Sequence, residues 1–310
     1  MKAIVLDQPG DITHLVYTEL TVPEIQDGEV LVQVKAISIN PVDVKTRVGK
    51  GMYGRLKELD PIIIGWDISG IVKASKSSRF KIGDEVFGMV NFPGHGKAYA
   101  EYVAAPADQL ALKPARVSQE EAAAATLAAL TAYQGLHSHY SIKAGDRVLI
   151  HAAAGGVGHY AVQMAKERGA YVIGTSSAAN AEFVKSLGAD EHVDYHTEAL
   201  DKIRDIDFAL DTVGGANIDR TIPLMRRGGT LISIPSGLNA EVTEKSKAAG
   251  VNGFFFLVAS NGRDMEAIAA LLERGAIHSQ VSVRFPFDQM GLAHLQVESG
   301  RTVGKAIVML

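Results

Sequence analysis

Cysteine is absent from all 310 residues, which excludes disulfides, iron–sulfur clusters and any thiolate zinc site. An excess of positive charge is absent too. The formal net charge is -4, so there is no electrostatic case for binding nucleic acid or an anionic membrane. Long apolar runs are also missing. Met1-Lys-Ala-Ile-Val-Leu-Asp7 breaks its run too early for a signal peptide, and the Ala-rich stretch Glu121 to Leu130 is too short to span a bilayer. What remains is a 47% hydrophobic, 21% charged composition, ordinary for a soluble globular protein. The expectation is a cytoplasmic chain with no nucleic-acid or membrane partner, long enough for two domains with sizeable cores.

Two characters divide the chain. The first ~115 residues alternate apolar and polar positions at Glu29–Ser38, Ile68–Ala74 and Asp84–Val90, with Gly and Pro between, as an antiparallel barrel-like domain does. From Ser118-Gln-Glu-Glu121, an N-cap with capping acids, a long Ala-rich helix is predicted. Strands then alternate with helices. The strands are predicted near Arg147–His151, Tyr171–Thr175, Glu191–Val193, Asp207–Asp211, Gly229–Pro235 and Gly253–Val258. The helices include Ala178–Leu187 and Ala216–Met225. This order predicts a doubly wound parallel sheet, an α/β architecture. After a helix at Met265–Arg274, strands at Val281–Phe285 and Lys305–Leu310 return to the first domain. The expected division is 1–117 with 262–310, and 118–261. Lys-x-Gly-Asp-x-Val occurs at Lys81–Val86 and at Lys143–Val148, and reads as repeated turn chemistry: Gly for a positive φ, Asp for nearby backbone N–H groups.

The chemistry is concentrated at Ala153-Ala154-Gly155-Gly156-Val157-Gly158. It follows a strand, opens a helix, and is followed by a second strand at the spacing of a dinucleotide-binding βαβ unit. Gly155 lets the backbone approach a pyrophosphate, and Gly158 lets the helix pack close to the strand. About 20 residues on, where NAD sites place an acid, stand Thr175-Ser176-Ser177. Hydroxyls can donate to a 2′-phosphate, which a carboxylate would repel, and Tyr195 adds a phenol after the third strand. NADP(H) is therefore the expected cofactor, although residues 176–180 contain no Arg or Lys.

Several further stretches carry a resemblance. They are Asn40-Pro-Val-Asp-Val-Lys45, Pro61-Ile-Ile-Ile-Gly-Trp-Asp-Ile-Ser-Gly70, Phe80–Gly88, Ala98–Val103, Leu130-Thr-Ala-Tyr133, Leu187-Gly-Ala-Asp190 and Gly300–Lys305. With the glycine turn, they make the chain resemble the medium-chain dehydrogenase/reductase superfamily end to end. The resemblance implies a GroES-like barrel plus a Rossmann domain, with the active site in the cleft between them. Zinc members carry Gly-His-Glu and a ligand cysteine; this chain has Gly65-Trp-Asp67 and no cysteine. His137 and His139 are two apart and do not share a helix face, and His95 in its Gly-rich loop reads as a surface residue. The chain is thus similar to zinc-independent quinone and enone (alkenal) reductases, with no metal expected.

Without a Lewis acid an alkoxide is hard to stabilise, whereas a conjugated carbonyl can take hydride and needs only hydrogen bonds for its enolate. The expected reaction is hydride transfer from NADPH to a quinone or to the β-carbon of an α,β-unsaturated carbonyl. By resemblance Asn40 donates to the substrate carbonyl and Lys45 orients a neighbouring group or shapes the cleft; Tyr53, in the following loop, is a candidate donor or lid residue, and Asp67 reads as a polar residue fixing the active-site loop. Thr131 resembles a nicotinamide contact, and Lys305 belongs to a motif near the cleft. Rossmann topology adds the strand ends carrying Val213, Ser233, Pro235, Phe256 and Val258. In the family the last strand also pairs across a dimer interface, so a homodimer is expected. The competing expectation is a nucleotide-binding relative with little catalysis, of crystallin-like, regulatory or RNA-binding type.

Overall fold

Alternating apolar residues fold the N-terminal part of the chain into strands. They are β1 (Lys2–Leu6), β2 (Leu15–Glu19), β3 (Glu29–Ile39), β4 (Asp67–Ser75), β5 (Glu85–Met89), β6 (Tyr102–Pro106) and β7 (Leu110–Leu112). Next come β8 (Arg147–Ile150), β9 (Tyr171–Ser176), β10 (Glu191–Asp194), β11 (Ile206–Asp211), β12 (Met225–Ser233) and β13 (Asn252–Phe254). The chain closes on β14 (Val281–Pro286) and β15 (Lys305–Met309). The structure is a computed structural model describing residues 1–197, 200–235 and 239–310. It divides into two compact units, Met1–Leu130 with Val258–Leu310, and Thr131–Leu257. No helix among the described residues is long and apolar enough to cross a membrane.

In the first unit the sheet order is β14-β15-β3-β4-β5-β7, with β6 also on β3. Pairing is antiparallel except between β14 and β15. The alternation of β3 turns Val30, Val32, Val34 and Ala36 to the core. The capping box at Ser118 forms as predicted: Ser118 Oγ accepts from Glu121 N–H and the Glu121 carboxylate from Ser118 N–H. The helix it starts, Gln119–Ala124, is shorter than predicted, and a second helix, Leu127–Tyr133, follows. Ala123 and Ala124 pack on Ala36 and Ile307. Small side chains let the helix lie close against β3 and β15, so residues 118–130 sit in the first unit and not in the second.

The second unit is a parallel sheet in the order β10-β9-β8-β11-β12-β13. Its direction of winding reverses between β8 and β11, which opens the crevice that such sheets use for ligands. Val148, Leu149 and Ile150 are fully buried, as a strand covered on both faces requires. Each contributes roughly 1.5–3 kcal/mol by burial. Two elements stop earlier than the sequence predicts. The helix from Ala216 gives way after Thr221 to a 3-10 turn, Ile222–Leu224, because Pro223 has no N–H to continue it. β13 ends at Phe254 rather than running to Val258, since β12 pairs with it only over Thr230–Ile232.

The repeated Lys-x-Gly-Asp turn is the same device in both units. Asp84 accepts from Lys81 N–H and Asp146 from Lys143 N–H, each at 2.9 Å. Gly83 and Gly145 take φ of +95° and +85°. Each turn delivers the chain into a central strand.

Candidate cofactor site and a buried polar cluster

The glycine turn joins β8 to the helix Gly158–Glu167. Ala152 adopts a φ of +48°, which aims its carbonyl at the Gly155 N–H, 2.8 Å away. That carbonyl lies directly under the helix start: a Cβ on Gly158 would sit 2.2 Å from it. Gly174 on β9 is needed for a similar reason, since a Cβ there would meet Val184 at 2.6 Å and Ala153 at 2.9 Å. Among the described residues no backbone acceptor takes the N–H of Gly156, Val157 or Gly158. Three amides at a helix N-terminus are therefore available to an anion.

Beside this turn lies a cavity of about 840 Å³, lined by His151, Thr175, Tyr195, Val213, Asn217 and Arg220, among others. Two buried groups shape it. Asp211, at the end of β11, accepts from the N–H groups of Val213 and Gly214 at 3.0 Å, from Asn217 Nδ2 at 2.9 Å and from Ser233 Oγ at 2.9 Å. The turn it holds needs positive φ at Gly214 (+75°) and Gly215 (+59°), hence the glycine pair. His151 bridges three elements: Nδ1 meets Thr175 Oγ1 at 3.2 Å and Nε2 meets Thr221 Oγ1 at 2.9 Å. Burial lowers its pKa to about 4, against the opposing pull of Asp211, so the ring is neutral.

A neutral imidazole carries one N–H. Thr221 already donates its hydroxyl proton to Asn217 O, so it accepts from His151 Nε2–H. Nδ1 is then the acceptor, and Thr175 donates to it. Ser176 donates to the Ser177 carbonyl and lies 2.8 Å from His192 Nε2. Of the three hydroxyls expected to donate to a 2′-phosphate, the first two are thus committed internally. Ser177, which accepts from Asn180 Nδ2 at 3.2 Å, keeps its proton. Tyr195 is 51% exposed, and its phenol has no hydrogen bond among the described residues.

The first unit holds a different kind of site. Asn40 Nδ2 donates to Asp67 Oδ2 (2.7 Å) and to Ser38 O (3.4 Å), while its Oδ1 accepts from Lys305 Nζ. Its backbone N–H goes to Asp43 Oδ2 at 2.6 Å. Lys305 also donates to Ile39 O at 3.0 Å, and Leu127 N–H donates to Asp67 Oδ1 at 3.1 Å. All four side chains are buried. Asp43 and Asp67 are thus tied to Lys305 through Asn40, and burial lowers the pKa of that lysine against the pull of both carboxylates. Burial, with the negative charge of Asp67, pushes Asp43 up to about 8. Burial raises Asp67 too, opposed first by Lys305. Asp67 has two N–H donors against one for Asp43, so the retained proton belongs on Asp43.

Two family models match the chain: a zinc-binding dehydrogenase model over residues 187–308 and an alcohol dehydrogenase GroES-like domain model over residues 26–115. An NADPH-dependent alkenal/one oxidoreductase of Arabidopsis thaliana chloroplasts is 32% identical, covering 99% of this chain and 79% of that protein. The structure of the quinone oxidoreductase from Coxiella burnetii superposes with a TM-score of 0.95 at 36% identity, over 100% of this chain and 99% of that one. The chain belongs to the medium-chain dehydrogenase/reductase superfamily. The Escherichia coli quinone oxidoreductase complexed with NADPH is a further match, with a TM-score of 0.88 at 27% identity over 100% of both chains. The expected GroES-like domain and Rossmann-type parallel sheet are the fold of this superfamily member.

The zinc that one family model names does not fit the residues present. Asp67 is the carboxylate of Gly65-Trp66-Asp67, and it already accepts from Asn40 Nδ2 and the Leu127 N–H, with the charge of Lys305 opposing the effect of its burial. Trp66 donates Nε1 to Gly94 O. No group of three His, Cys, Asp or Glu among the described residues is spaced to hold a metal ion. His95 is partly buried rather than on the surface; it accepts the Ile63 N–H and is lowered to about 4 by burial.

A nicotinamide dinucleotide, in contrast, fits the free amides and the cavity. Of the residues expected from sequence, Thr175, Tyr195 and Val213 line that cavity. Ala154, Gly155, Gly156, Val157 and Gly158 form the turn beside it. Ser233 is buried against Asp211 and Phe256 against the ring of His139 (4.6 Å). Thr131 and Val258 are buried and Pro235 is partly buried. Asn40 and Lys305, expected at substrate and cofactor, are joined to each other, and both amide hydrogens of Asn40 are engaged within the cluster. Lys45 and Tyr53 are half-buried, with no side-chain partner among the described residues. Sequence reasoning missed His151 and Asn217 and passed over Asp211 for its neighbour Val213. The available signal was an acid at a strand end followed by Gly-Gly.

Proposed function

We propose that the protein is an NADPH-dependent reductase of quinones or α,β-unsaturated carbonyls that works without zinc. The observation that carries this reading is the crevice end of the parallel sheet. A turn with three unused amides adjoins a cavity, and β9 ends in hydroxyls with no carboxylate to repel a 2′-phosphate. The donor set around Asp67, unsuited to zinc, supports a metal-free reaction. So do the printed activities of the relatives, an alkenal/one oxidoreductase and quinone oxidoreductases.

When bound, the reduced nicotinamide supplies the hydride. This chain's residues supply binding and charge stabilisation. Lys45 and Tyr53 keep uncommitted donors, and we assign them, rather than Asn40, to the oxygen on which negative charge develops. Asn40 and Lys305 act from behind, fixing the start of the helix Pro41–Arg47 that carries Lys45. A homodimer is part of the same proposal. β13 ends the six-stranded sheet, an edge that a second copy can extend. The cytoplasm rests on the sequence alone.

The test is NADPH oxidation against 1,4-benzoquinone, a 2-alkenal and a cyclic enone, with NADH and a chelator as controls. Chelator-insensitive turnover with NADPH preferred is the expected result. NADPH binding without turnover on any of them moves the protein to a binding role, and chelator-sensitive turnover removes the metal-free mechanism. Lys45→Met and Tyr53→Phe should each lower kcat, by about tenfold to a thousandfold if they stabilise developing charge, with an unchanged melting temperature.

A further inference from the structure

We propose that Arg220 recognises the 2′-phosphate of NADPH and sets the preference for NADPH over NADH. This deepens the function proposed above and rests on it. A phosphate monoester is held best by a cation together with hydroxyl donors. Residues 176–180, after β9, contain no Lys or Arg. With Thr175 and Ser176 committed internally, only Ser177 keeps a free hydroxyl proton there, and none of the three brings charge.

Two basic residues line the cavity, Arg204 and Arg220. Arg204 lies at the amino end of β11, where its Nη1 donates to Ile203 O at 2.6 Å and its carbonyl accepts from Arg147 Nε. That is the far end of the strand from the phosphate-binding turn. Arg220 lies on the helix Ala216–Thr221, which begins just past the carboxyl end of β11. Among the described residues its guanidinium has no hydrogen bond and no ion pair. Elsewhere in the unit Lys166, Lys185, Arg226 and Lys245 are each paired with a carboxylate.

The helix bearing Arg220 is fixed from both sides of it in sequence. Asn217 donates to Asp211 at 2.9 Å, and Thr221 meets His151 at 2.9 Å. Asn217 and Arg220 are three apart and share one helix face. Tyr195 lines the same cavity, its phenol without a hydrogen bond among the described residues. A guanidinium with all its donors uncommitted, on a face anchored to the ends of β8 and β11, matches the charge that residues 176–180 lack.

The experiment is calorimetric titration of wild type, Arg220→Gln and Arg220→Lys with NADPH, NADH, 2′,5′-ADP and 5′-AMP. Loss of one charge-assisted hydrogen bond predicts that R220Q weakens NADPH and 2′,5′-ADP by about tenfold to a hundredfold, leaves NADH and 5′-AMP within about twofold, and that R220K recovers part. Equal weakening of all four, or of none, overturns the assignment; the NADH arm reports whether the variant is folded. If wild type itself does not distinguish 2′,5′-ADP from 5′-AMP, the NADPH reading falls and Arg220 falls with it. If wild type distinguishes them and R220Q does so equally well, only Arg220 is wrong.

Discussion

The two units hold their polar groups in opposite ways. In the first, Asn40, Asp43, Asp67 and Lys305 close on one another, and neither amide hydrogen of Asn40 is left for an outside partner. In the second, His151 and Asp211 are just as buried, yet they hold in place groups that stay open: three amides, the phenol of Tyr195 and the guanidinium of Arg220. A buried polar group therefore does not mark a binding residue by itself. Spare hydrogen-bonding capacity does. A closed cluster reports its loss as instability, an open one as lost affinity.

The closed cluster should break hardest. Lys305→Met leaves the Ile39 carbonyl and the Asn40 amide oxygen without their buried donor and removes the charge that opposes the burial of Asp67, and each buried polar group left unpaired costs about 1–3 kcal/mol. Urea unfolding of the variant at neutral pH measures it. A loss below about 1 kcal/mol, the range of solvated surface pairs, would mean that water reaches the cluster.

The same cluster predicts a pH dependence. Folded Asp43 holds its proton up to about 8, whereas an ordinary aspartate releases it near 3.8. Between those values the folded state binds the extra proton, so this group's contribution to stability falls as pH rises and is exhausted above about 8. His95 and His151 at about 4 and His294 at about 3 act in the opposite sense, because burial keeps them neutral when folded; their effect ends near 6.5. Between pH 6.5 and 8 the histidines no longer contribute and the dependence belongs to the cluster, in which Asp67 is also raised by burial and Lys305 is lowered by it. Asp43→Asn keeps an oxygen for Asn40 N–H and has nothing to titrate. Its stability should decline less across that window than that of wild type, and a parallel decline in both would move the proton off Asp43.

How far each region was legible follows from how local its partners are. The glycine turn and the strand–helix alternation are neighbours in sequence, and their spacing alone predicted the parallel sheet. The Lys-x-Gly-Asp turns were readable for the same reason. The engagement of Asn40 was not legible because its partners lie 27 and 265 residues away, so nothing near it shows that its amide is occupied. The expected boundary at 117 and the division after Leu130 differ because an Ala-rich helix does not state which sheet its small face will meet. His151 was hidden inside the turn motif, 24 residues from Thr175 and 70 from Thr221.

The smallest effect is the most discriminating, because it separates two hydroxyl positions two residues apart at the end of β9. Ser177→Ala removes a free donor and should weaken NADPH by about threefold to tenfold while leaving NADH unchanged, the scale of one hydrogen bond. Thr175→Val removes a donor that already faces His151, leaving Nδ1 without its partner. It should cost about 1–3 kcal/mol of stability, the penalty of a buried unsatisfied group, and shift NADPH and NADH affinity equally. Fluorescence titration of both variants with both cofactors decides the matter. A selective loss of NADPH in T175V would show that the Thr175 proton turns from His151 to the phosphate on binding. The line between closed and open groups would then run through Thr175 rather than beside it.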